Sequence, residues 1–279
     1  MKRVSILAML VLILAVGVLP AAAITGGVAD GDGHPNVGLM AAYKGGEYQW
    51  RCSGTLIAPR VFLTAGHCLE DGVDLVRIWF TSDMTELEYP DGGEYVEGTP
   101  VPNPYYSWGD ADPHDVGLVI LDEALENPEP AMLPEPPDLD QPDLLAQLKK
   151  DRILEGGYGN DDKVGAYFTA VGYGGALDSW PPPDLSYEKI RQVAESEYVA
   201  LTPVWLHLSQ KAVFDESGSC FGDSGGPVFW DDPEKGEILV AVTSTGDAQC
   251  IATGLNYRID TQETLNWIYG EIDQLPSED

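Results

Sequence analysis

Basic side chains are scarce in this chain: of 279 residues, 15 are Lys or Arg against 46 Asp or Glu, a formal charge of −31. Nucleic acid and anionic membranes are held by clustered Lys and Arg, so this surface repels both. The acidity reads as a solubility device that would favour cationic substrates in dilute salt. Histidine is also rare, with only His34, His67, His114 and His207. The four cysteines (Cys52, Cys68, Cys220 and Cys250) lack the close pairs or Cys/His clusters of a zinc site, so no metal and no cofactor are expected. Long apolar runs are missing after the opening stretch "MKRVSILAMLVLILAVGVLPAAA". That stretch has the positive start, apolar middle and small-residue end of a secretory signal, and its apolar run is short for a membrane span. An uncleaved anchor is the competing reading. The expectation is a signal at 1–23 and a soluble, secreted monomer with no membrane contact after cleavage.

An even cysteine count in an exported chain predicts two disulfides, with three possible pairings. Pairing sequence neighbours, Cys52–Cys68 and Cys220–Cys250, is the economical choice. A hydrophobic content of 44% suffices for a packed core. From 24 to 125 the chain reads as short β-segments such as "VGLMAAY", "CSGTLIA", "VFLTA", "LVRIWF" and "VGLVIL". An acidic, proline-rich connector follows over 126–165, with a short helix in "LLAQLKKDRIL". A second β-rich half spans 166–260 and includes "AYFTAVGYG", "WLHLSQKAV", "GPVFW", "EILVAVTST" and "LNYRI". "GALDSWPPPDLSYEK" at 175–189 is expected to be an exposed loop, and 261–279 a C-terminal helix and tail, with Thr261 as the cap. Two all-β halves with a cleft between them form the simplest architecture, because closed sheets remove vulnerable edges.

The chemistry converges on "SCFGDSGGP" at 219–227, where Ser224 sits among three glycines. A serine hydroxyl is a poor nucleophile until a base takes its proton, and imidazole is the natural base near neutrality. His67 in "LTAGHC" is one candidate base, and Asp115 in "HDVGLVIL" is an acid at the start of a buried-looking strand. Such a carboxylate would fix the imidazole tautomer and stabilise the imidazolium. The glycines beside Ser224 let the amides of Gly222 and Ser224 aim at one point, where an oxyanion could develop. "GDSGG" also fits the G-x-S-x-G elbow of esterases, but that fold needs a histidine after the serine, and none follows Ser224.

Six pieces together resemble the chymotrypsin-like (trypsin-like) serine endopeptidases, in their secreted, microbial-type form. They are "ITGG", "CSGTLIAPRVFLTAGHC", "HDVGLVIL", "AVGYG", "CFGDSGGP" and "TSTGDAQC", in the order His, Asp, Ser. The resemblance implies two six-stranded antiparallel β-barrels with a site between them. It implies His67 as general base and acid, Asp115 as orienting carboxylate, Ser224 as acyl-forming nucleophile and the Gly222/Ser224 oxyanion hole, on polypeptide substrates. The same two disulfide pairings are implied, as is an ion pair between a freed Ile24 amine and Asp223, with export itself producing that terminus. Gly218 falls at the base of the primary pocket beside Ser219, with Gly246 and Gly254 at its walls. This implies an open, uncharged pocket for apolar side chains, although Asp247 at the rim keeps a basic residue in play. Ser244, Thr245 and Gly246 match the strand that pairs with substrate backbone. Thr245 replaces a common tryptophan, and 126–190 departs from the animal digestive enzymes. A non-catalytic binding protein and an esterase on the same barrel are the alternatives.

Overall fold

The computed structural model describes residues 24, 26–137, 141–155, 166–179, 184–187, 189–211 and 217–275. The expected signal at 1–23 lies outside them.

The apolar stretches of the first half close into a barrel. Its strands are β2 (Val37–Lys44), β3 (Glu47–Ala58), β4 (Val61–Thr64), β5 (Leu75–Trp79), β6 (Val96–Pro102) and β7 (Gly117–Leu121), and the ring order is β2-β3-β4-β7-β6-β5. β2 is buried at every position but its last, because its continuous apolar run faces core on both sides. Met40, Leu56, Phe62, Val76, Ile78 and Val119 fill the interior. β6 carries two prolines, which made it illegible as a strand. Val96–Gly98 pair with β5 and Gly98–Pro102 with β7, so Pro100 and Pro102 sit where one ladder is absent.

The second half contributes β8 (Tyr167–Gly172), β11 (Gln192–Leu201), β12 (Trp205–Ser209), β13 (Pro227–Asp232), β14 (Gly236–Gly246) and β15 (Thr253–Arg258). They run β11-β12-β15-β14-β13-β8, and β8 pairs back with β11 to close a second six-stranded antiparallel barrel. β1 (Val28–Ala29) adds outside β11. The expected loop at 175–189 is instead part hairpin: β9 (Ala176–Ser179) pairs antiparallel with β10 (Asp184–Ser186). Its proline-rich centre hid the flanking strands.

Two helices complete the described residues. The helix of the connector, α1 (Leu144–Lys150), sends Leu145 and Leu148 into the core with Phe168, Tyr198, Leu206 and Val240. The C-terminal helix, α2 (Gln262–Asp273), begins where Thr261 accepts a hydrogen bond from the Thr264 amide at 3.3 Å. A shared core joins the barrels, with Leu39, Leu63 and Trp79 of the first clustering with Tyr173, Phe229 and Val242 of the second. Arg191, 1% exposed, reinforces the joint: it pairs with Asp30 at 2.6 Å and donates to the carbonyls of Gly31, Val37 and Phe80. No helix among the described residues is long and apolar enough to cross a membrane.

Candidate active site

Three turns bring the predicted residues to one cleft. β4 ends at Thr64 and passes into a short 3-10 turn, Gly66–Leu69, that carries His67. Asp115 lies just before β7, and Ser224 just before β13. His67 and Ser224 both line a cleft of about 330 Å³.

Asp115 is fully buried and holds His67 at two places. Its Oδ1 accepts from the His67 backbone amide at 2.9 Å, and its Oδ2 lies 3.0 Å from His67 Nδ1. A carboxylate only accepts, so the shared proton sits on Nδ1, and in the neutral ring the lone pair is then on Nε2. Burial pushes the Asp115 carboxyl up, but the facing imidazole and the hydroxyl of Ser244 outweigh it and hold the group below the usual carboxylate range. The Ser244 hydroxyl donates to Asp115 Oδ2. A register shift aims it there: Thr243 pairs with Asn256 and Thr245 with Leu255, leaving Ser244 as the extra residue of a bulge. Ser244, expected only as part of the substrate-binding strand, therefore also belongs to the Asp115 cluster. Among the described residues no hydrogen bond joins the Ser224 hydroxyl to His67.

The glycines around Ser224 serve close packing. Gly225 has φ +79°, and a Cβ there would stand 2.0 Å from Thr64 Oγ1 and 2.6 Å from the Ser53 carbonyl oxygen. Gly222 has φ +96°, a conformation that glycine adopts without steric cost. Among the described residues no acceptor engages the amides of Gly222 or Ser224. Ser53, which sequence reasoning missed, pins this turn to the first barrel. Its amide donates to the Ser224 carbonyl at 2.8 Å, its hydroxyl donates to the Gly222 carbonyl at 3.0 Å, and the same hydroxyl accepts from the Tyr173 amide at 3.0 Å.

With residues 1–23 attached, Ile24 carries a peptide nitrogen and no amine, so the ion pair expected of a freed terminus does not apply to this form. Ile24 is already buried, but its peptide nitrogen donates to Gln192 Oε1 at 2.8 Å. Asp223 accepts from the amides of Gly174 at 2.6 Å and Cys220 at 2.8 Å. Burial raises the Asp223 carboxyl to about 7, against those two amides and the charge of Arg51. Both ends nevertheless lie against one rung: Gln192 pairs with Gly172, and a Cβ on Gly172 would be 2.2 Å from Asp223 Oδ1.

The disulfides are Cys52–Cys68, beside His67, and Cys220–Cys250, which ties the Ser224 turn to the loop after β14. Cys52, Cys68 and His67 group closely, but both sulfurs are consumed by the bond between them. Thr245 and Gly246 pair with β15 on one side, while β13 reaches only Val242 on the other, so a strand edge is left along the cleft. Asp247 lines the cleft, yet its carboxylate accepts from the amides of Gln249, Ile251, Ala252 and Thr253. Burial opposes its ionisation and those amides win, holding it below the usual range. Its charge is engaged in shaping the loop. Trp108, 58% exposed, stands edge-on to the His67 ring with centroids 6.0 Å apart.

This arrangement is that of a two-barrel serine hydrolase, and the comparisons agree. The trypsin family model matches residues 26–268. Serine protease 1 and Serine protease 2 of Drosophila melanogaster are each 26% identical over 223 residues, covering 78% of this chain and 72% of the relative. Serine protease Hayan, also from Drosophila melanogaster, is 25% identical over 248 residues, covering 86% of this chain and 37% of its own length. The chain belongs to the trypsin family, and by that membership it is a serine-type endopeptidase.

Proposed function

We propose that this protein, secreted after removal of residues 1–23, hydrolyses peptide bonds with Ser224, His67 and Asp115. The Ser224 oxygen attacks the scissile carbonyl as His67 Nε2 takes its proton, and the same proton goes to the leaving amine. Asp115 stabilises the imidazolium. The unengaged amides of Gly222 and Ser224 receive the oxyanion. Water then hydrolyses the acyl-enzyme by the same steps in reverse roles. The substrate backbone adds to the free edge at Ser244–Gly246. Gly218 contributes no side chain at the base of the primary pocket, and the Asp247 charge is already engaged.

A cut before Ile24 frees an amine beside the rung that Asp223 abuts. The ammonium supplies the counter-charge that a buried carboxylate otherwise lacks, and moving Asp223 towards it reshapes the oxyanion turn.

The observation that carries the reading is the buried Asp115 held on His67 Nδ1, in the cleft that Ser224 lines. The test is peptide hydrolysis by the chain starting at Ile24. Ser224→Ala should abolish turnover, and Asp115→Asn should lower kcat by roughly 10⁴-fold, since it removes the partner that fixes the imidazole tautomer. Unchanged hydrolysis in either variant contradicts the assignment.

A further inference from the structure

The expected base of the primary pocket holds a side chain from a segment that the sequence motifs do not include. Gln210 follows β12 and is 2% exposed, and it lines the cleft together with Ser219, Ser224 and Gly246. It takes the space that a side chain at 218 would use: a Cβ on Gly218 would be 2.4 Å from Gln210 Cγ and 2.7 Å from its Nε2. On the other side, a Cβ on Gly254 would be 3.1 Å from the same Nε2. Gln210 is thus wedged between the two positions expected to be the floor and one wall of the pocket.

The orientation of its amide is settled by its neighbour. Gln210 Nε2 donates to the Ser219 backbone carbonyl at 2.7 Å. A carbonyl only accepts, so the NH₂ must face it and Oε1 must point away. Oε1 is buried and has no hydrogen-bond partner among the described residues. An orphaned buried acceptor is costly, and that cost is relieved by whatever donor reaches it.

We infer that Gln210 sets the primary specificity, its Oε1 accepting a hydrogen bond from a substrate side chain that is uncharged and ends in an N–H or O–H donor. A cation would exchange its hydration for one neutral carbonyl, and a carboxylate would set acceptor against acceptor. A purely apolar tip would bury Oε1 unsatisfied. The inference rests on the proteolytic reading of this cleft and refines its pocket from apolar to donor-tipped.

Matched peptides differing only before the cut test it: tyrosine against phenylalanine, and glutamine against methionine. With the chain starting at Ile24, the donor member of the better-accepted pair should have kcat/KM about tenfold higher. Gln210→Met should bring that ratio within about twofold, whatever its effect on the absolute rates. The same peptides, titrated calorimetrically onto the Ser224→Ala protein, should show the same preference in Kd. Equal kcat/KM and equal Kd within both pairs for unmodified Gln210 overturns the inference, whether or not the Met variant folds. A Kd preference without any hydrolysis by the Ser224 protein would instead remove the proteolytic reading and leave the pocket chemistry standing.

Discussion

Ser53 has no chemistry of its own to contribute, yet its hydroxyl bridges the Gly222 carbonyl and the Tyr173 amide. Replacing it with alanine leaves a buried donor and a buried acceptor unmatched, at a cost of about 1–3 kcal/mol. Ser53→Ala should therefore lower kcat about tenfold with little change in KM, as steady-state kinetics on the Ile24 form will read. A changed KM at constant kcat would contradict a role in setting the oxyanion turn. At Asp223 the relevant variable is pH. Its carboxyl is raised to about 7 by burial, so the native full chain holds a proton that the unfolded chain releases near 4. The stability contributed is complete below about 4 and is lost as pH rises towards 7. In a Ser224→Ala chain extended before Ile24, the Tm advantage of Asp223 over Asp223→Asn should shrink from pH 4 to 7. A constant difference across that range would contradict the burial account. Ser224, His67 and Asp115 were legible because each stands in a motif whose chemistry requires its residue type. Ser53 and Gln210 were not, because a buried serine or glutamine inside a strand run looks like any other core-edge residue until its partners are known.

At the scale of elements, apolar runs announced β2, β4, β7 and β14, and the Thr261 cap announced α2. β11 escaped notice because "QVAESEYVAL" alternates buried with partly exposed positions and carries two glutamates on its outer side. Tertiary pairing with β8 and β12, rather than local pattern, makes it a strand. The connector likewise gave no hint of its anchor. Arg258 ends β15 and meets Asp260 through two hydrogen bonds of 2.8 Å, with Arg258 3% and Asp260 0% exposed. The same aspartate accepts from the Leu145 amide at 2.8 Å, and so fastens α1 to the second barrel. Asp260→Ala leaves the buried Arg258 guanidinium with only Asp143, at 3.3 Å, as an acidic partner among the described residues. Unpairing a buried charge typically costs about 3–5 kcal/mol, and the remaining partner puts the expected loss at the lower end, roughly 10 °C in Tm for a chain of this size. Thermal unfolding checks this; a shift below about 2 °C would mean that the pair contributes little.

Over the whole molecule, both barrels and their cleft followed from β-rich halves on either side of an acidic connector, and motif order identified which turns meet. The joint between the halves was not legible, because Arg191 and Asp30 are far apart in sequence and neither belongs to a motif. Within the site, Asp115 and Asp223 are buried and committed to specific partners. The two halves of the proposed machine are joined by Ile24: in the full chain its nitrogen rests on Gln192, one rung from Asp223. The most direct measurement is the intact mass of the protein after treatment with a serine-phosphonylating reagent, in the full chain and in the chain starting at Ile24. A single adduct on Ser224, formed at least about 100-fold faster with the freed terminus, is predicted. Equal labelling of both forms, or no adduct on Ser224 in either, would contradict the account.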